Sequence, residues 1–154
     1  MERSDLVEDA EESGGRVRHR LGVVGRPGFS PVPHMLFLHQ KSLGLTSAEL
    51  NVYLNIFMHW YDAGKFPFPH TATIAKRMGT SQRNVQRLIN SLKKKEMLER
   101  IPGQRKRDPK QYDVRPLLLK LQPRAKEWIA QKEKAAQLRP IQDLVEFLTV
   151  PGVV

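Results

Sequence analysis

Apolar residues at Leu50, Tyr53, Leu54, Phe57, Trp60 and Tyr61 repeat at the three- and four-residue spacing of one helix face. The run opens at Thr46-Ser47-Ala48-Glu49, a capping box in which the Thr46 hydroxyl accepts from the Glu49 amide and the Glu49 carboxylate reaches back. Gly64 is placed to end it. A helix over this stretch is expected, with its stripe in the core and no cofactor role.

Phe66-Pro67-Phe68-Pro69 cannot be helical, because each proline pushes its predecessor toward extended geometry, so a short strand or loop follows. A second helix is predicted from Thr71 to Met78, with Ile74, Ala75 and Met78 inward and Gly79 at a position suited to positive φ. Ser81 can cap a third helix reaching Lys95, in which Val85, Leu88, Ile89 and Leu92 share one face. Arg83, Arg87, Asn90 and Lys94 project on the opposite side, with Gln86 flanking them. An isolated basic amphipathic helix is equally well an ordinary solvated face. Here a short helix, a glycine-containing turn and a second helix with polar residues at its start form a helix-turn-helix pattern.

Beyond Glu96, Met97 to Ile101 alternates like a strand, and Gln111 to Val114 does so again. Between them Pro102-Gly103-Gln104-Arg105-Lys106-Arg107-Asp108-Pro109-Lys110 makes a basic loop. Two strands around such a loop predict a β-hairpin wing able to lie along a phosphate backbone; a surface loop with incidental charge is the alternative. Pro116 suits the first turn of a further helix in which Leu117, Leu118, Leu121, Ala125, Trp128 and Ile129 can pack back, with Pro123 giving a kink or restart. A last helix after Pro140 would set Ile141, Leu144, Val145 and Leu148 on one face. These helices either cap the monomer core or associate with a second copy.

The fold class expected is therefore mainly α with a small β-hairpin: a winged helix-turn-helix with a C-terminal helical extension. Residues 1–30 are assigned to an arm lacking regular structure, 31–121 to the winged domain, and 122–154 to the extension, which is a candidate dimerisation element.

Charge sharpens this picture. Of 154 residues, 26 are Lys or Arg and 16 are Asp or Glu, giving a net charge of +10. From Lys76 to Arg115 thirteen bases face four acids, a local charge of +9, so nearly all of the excess lies in the helix-turn-helix and wing. Such a surface favours a polyanion through counterion release. Met1 to Glu12 is acidic, whereas Arg16 to Lys41 holds five bases and no acid, punctuated by Gly and Pro. The basic arm could track phosphates or enter a minor groove. The acidic tail is either a solubilising extension or a competitor with DNA for the basic surface.

Leu45 to Leu50, Phe66 to Pro69, Thr73 to Arg87 and Tyr112 to Leu118 resemble the bacterial winged-helix family found in mobile-element regulators and in plasmid or phage replication proteins. The resemblance implies a winged helix whose Ser81 to Arg87 segment reads a major groove. The residues assigned to DNA are Ser81, Gln82, Arg83, Asn84, Gln86, Arg87, Asn90 and Lys94 on the recognition helix, Thr71 and Thr73 on the helix before it, and Arg105, Lys106, Arg107 and Lys110 on the wing.

The absence of cysteine rules out disulfides and thiolate chemistry. His19, His34, His39, His59 and His70 lack metal-ligand spacing, and Gly14-Gly15 and Gly25 to Gly28 lack the ending of a phosphate loop. No metal, cofactor, small-molecule ligand, membrane segment or catalysis is expected, and the protein is expected in the bacterial cytoplasm, on the nucleoid when bound. Three roles stay open: a transcription regulator of a mobile or horizontally acquired element, an origin-binding replication or partition factor, and a protein- or RNA-binding adaptor.

Overall fold

The computed structural model describes residues 14–103, 105 and 108–149, and the chain divides into two units, Met1–Val32 and Pro33–Val154. In the first unit residues 14–21 form helix α1, followed by a 3-10 turn at Gly22–Gly25. This corrects the expectation of an arm without regular structure. The average composition of residues 14–33 hides a division: Arg16 to Leu21 contains no helix breaker, while the prolines begin only at Pro27. The acidic Met1 to Glu12 lies outside the described residues.

The second unit contains α2 (His34–Leu38), α3 (Ser47–Phe57), α4 (Thr71–Met78), α5 (Gln82–Lys94), strands β1 (Glu99–Ile101) and β2 (Gln111–Asp113), and α6 (Arg115–Thr149). It is a winged helix, mainly helical with one small hairpin, as the pattern predicts. The capping box at Thr46 forms with both of its hydrogen bonds. Gly79 ends α4 at φ 62°, a left-handed conformation that costs glycine little, and the chain reverses there into α5. Ser81 caps α5 by accepting from the Asn84 amide.

The core gathers where these elements meet. Leu36, Val52, Tyr53, Ile56, Ile74, Val85, Leu88, Ile89 and Leu92 are buried, and Met97, Leu98, Tyr112, Val114, Leu117 and Leu121 close it from the wing side. The Tyr53 hydroxyl donates to the Val114 carbonyl at 2.8 Å, so α3 holds the chain where β2 gives way to α6. β1 and β2 pair antiparallel, with Arg100 opposite Tyr112. The Tyr112 amide also donates to the Pro67 carbonyl, which ties the Phe66-Pro67-Phe68-Pro69 segment to the outer edge of the hairpin.

Two helix boundaries differ from the sequence pattern. α3 stops at Phe57 rather than continuing to Gly64. Trp60 still packs edge-on against Phe57 from the turn beyond, but Tyr61 is 85% exposed. In the other case Pro123 and Pro140 neither break nor restart a helix, because α6 is a single run of 35 residues. Pro123 lies on the exposed side just past the buried Leu121, and the carbonyl it orphans belongs to the exposed Leu119, where water can satisfy it. Ile141, Leu144, Val145 and Leu148 belong to this run, and their side chains lie outside the described residues.

Candidate nucleic-acid interface

α5 is amphipathic by construction. Val85, Leu88, Ile89 and Leu92 bury one side against α3 and α4, which forces Arg83, Gln86, Arg87, Asn90 and Lys94 outward; all five are exposed. These five, with Ser91, line one shallow surface. Gln86 and Asn90 also border a cleft shared with Arg100, Lys110 and Tyr112. Arg100 and Lys110 in turn meet Lys93 and Arg105 around the base of the wing. The shared residues make these three surfaces continuous, so the outer face of α5 and the hairpin form one basic band.

Lys93 and Arg100 are absent from the residues expected from sequence. Lys93 follows Gln86 by two helical turns, a signal available in the spacing. Arg100 could be placed on a strand from sequence, but only the pairing register sets it against α5. Of the expected wing residues, Arg105 and Lys110 are exposed, while Lys106 and Arg107 lie outside the described residues. The Arg105 amide donates to the Asp108 carboxylate at 2.6 Å.

Several polar residues are committed within the protein. Thr71 is buried and its hydroxyl accepts from Gln82 Nε2 at 2.8 Å, so this pair braces α4 against the start of α5. Thr73 is exposed, and Ser81 is engaged in capping. Asn84 is half-buried and contacts Thr80 and Arg87. Arg77 donates to His59 Nε2 at 3.2 Å, and burial together with this cation holds the imidazole below its usual range.

The far end of α5 is fixed by Glu49, which is only 2% exposed. Its carboxylate completes the Thr46 capping box and also accepts from Ser91 Oγ at 2.6 Å and Lys95 Nζ at 2.8 Å. Burial opposes its ionisation, but hydrogen bonds from Lys95, Ser91 and Thr46 outweigh that and bring its pKa down to about 2. At the wing's exit Arg115 chelates Asp113 with two donors and lies over the Phe66 ring, and these bonds lower the Asp113 pKa despite partial burial.

Fold and surface together define a winged-helix protein with a basic outer face on α5 and basic residues on the hairpin. The DnaD N-terminal domain family matches residues 32–133, and the chain belongs to that family. The match bears out the resemblance drawn from the motifs as far as a bacterial winged-helix family. The crystal structure of the N-terminal domain of DnaD from Geobacillus kaustophilus is similar at 25% identity and a TM-score of 0.50, over 87% of this chain and 99% of that one. The MepR–DNA complex from S. aureus (14% identity, TM-score 0.43, 75% of this chain and 90% of that one) and YusO from Bacillus subtilis (16%, 0.39, 95% and 98%) are further neighbours. No curated protein matches the sequence. Among the described residues no helix is long and apolar enough to cross a membrane.

Proposed function

We propose that this chain binds double-stranded DNA sequence-specifically, with α5 in the major groove and the β1–β2 hairpin along the phosphate backbone. The observation that carries this reading is the continuous band from Arg83, Arg87 and Lys94 through Asn90 to Arg100, Lys110 and Arg105. Its α5 end, with Arg83, Arg87 and Asn90, offers hydrogen-bonding groups suited to base edges, and its wing end offers cations suited to phosphates. Membership of the DnaD N-terminal domain family supports a replication role over regulation of a mobile element.

The test is selection of bound fragments from a random duplex library at near-physiological salt, with the wild-type protein beside an Arg83→Ala/Arg87→Ala variant. An enriched motif that the variant loses is the expected result, and a two-fold symmetric motif would show dimeric binding. No enrichment by either protein would overturn sequence-specific reading and favour an adaptor role.

A further inference from the structure

Asn84 occupies the first turn of α5, where its own amide is held by the Ser81 cap. Its Oδ1 accepts from both Nε (3.3 Å) and Nη2 (2.7 Å) of Arg87, while its Nδ2 donates to Thr80 Oγ1 at 2.9 Å. A guanidinium can only donate, so the oxygen of Asn84 must face Arg87 and its amino group must face Thr80. The amide is thus oriented from both ends, and the Arg87 plane is set by it.

This contact consumes the Nε–Nη2 edge of Arg87. The other edge, with parallel N–H donors on Nη1 and Nη2, is left on an exposed side chain near the centre of the outward face of α5. Two parallel donors in a fixed plane match a rigid pair of coplanar acceptors. In a major groove that pair is N7 and O6 of guanine, and a preset plane reduces the ordering cost of the contact.

Resting on the DNA-reading role of α5, we propose that Arg87 reads a guanine through its Nη1–Nη2 edge and that Asn84 and Thr80 are the positioning residues that aim it. Asn84 then contributes to base preference without touching a base. Phosphate binding by Arg87 makes a different prediction, because it depends on charge and carries no base preference.

The experiment measures binding to the wild-type protein's selected site, with each guanine replaced in turn by 7-deazaguanine, which lacks the N7 acceptor. At one guanine the wild type should lose about tenfold in affinity, in line with one bidentate base contact. Asn84→Ala should bind the unmodified site about tenfold more weakly, be nearly indifferent to 7-deazaguanine at that position, and match the wild type within about twofold on non-cognate duplex. Thr80→Val should shift in the same direction and Thr80→Ser should behave as wild type. A motif whose guanine preference survives in Asn84→Ala and Thr80→Val overturns the positioning role while leaving DNA reading intact. Insensitivity of the wild type to 7-deazaguanine, with Arg87→Ala weakening all duplexes alike, assigns Arg87 to phosphate. Failure of the wild type to enrich any motif removes both proposals together.

Discussion

Lys95 Nζ lies 2.8 Å from Glu49 Oε2 and 2.6 Å from the Gly44 carbonyl, so the last turn of α5 is bonded to both the start of α3 and the loop before it. One carboxylate therefore caps one helix and anchors the end of another. The basic face of α5 is held in place from behind by a residue of opposite charge.

Glu49→Gln keeps the shape and removes the charge. It should destabilise the fold by on the order of 2 kcal/mol, the partial exposure of Lys95 keeping the loss below that of a fully buried pair. Urea unfolding of both proteins measures this, and a midpoint unchanged from wild type would refute the anchoring role.

Acid should unfold the protein partly through the same group. The Glu49 pKa is about 2 when folded against an ordinary 4.5, a depressed value, so its stabilisation is present above about pH 4.5 and is lost as pH falls toward 2. Asp113, also lowered, adds in the same direction. Stability measured from pH 7 to pH 2 should fall along this limb, and Glu49→Gln should flatten it; an identical slope in the variant would contradict the assignment.

Tyr53→Phe deletes the hydroxyl that meets the Val114 carbonyl and leaves that acceptor buried. The expected cost is about 1–2 kcal/mol in unfolding free energy. DNA affinity at saturating folded protein should not move, because Tyr53 is far from the basic band in role and is fully buried.

Arg105→Ala and Lys110→Ala test the wing. Each should weaken binding to all duplexes similarly and reduce the slope of log affinity against log salt by about one. A change confined to one sequence would mean base reading by the hairpin instead.

Much of this architecture is legible in the chain. Thr46, Gly79 and Ser81 mark helix ends through local chemistry, and Val85, Leu88, Ile89 and Leu92 declare the buried side of α5 through spacing alone. Local signals fail where tertiary contacts decide. Trp60 extends the apolar periodicity of α3, yet it packs on Phe57 from outside the helix. Pro123 carries a helix-breaking signature that the packing of Leu117 and Leu121 overrides. The bond from Lys95 to Glu49 spans 46 residues, and the capping box had already given Glu49 a sufficient local role. Asn84 has the chemistry of a base-reading residue, and only the geometry reveals its contacts with Thr80 and Arg87.

The hydrogen bond from the Tyr112 amide to the Pro67 carbonyl has a further result. A two-stranded ribbon with an open side invites extension by any passing extended chain. Here that side is occupied by a segment whose positions 67 and 69 are prolines and have no N–H to offer. The same residues that keep this connection out of a helix also leave a poor template for strand addition on the β2 side of the hairpin.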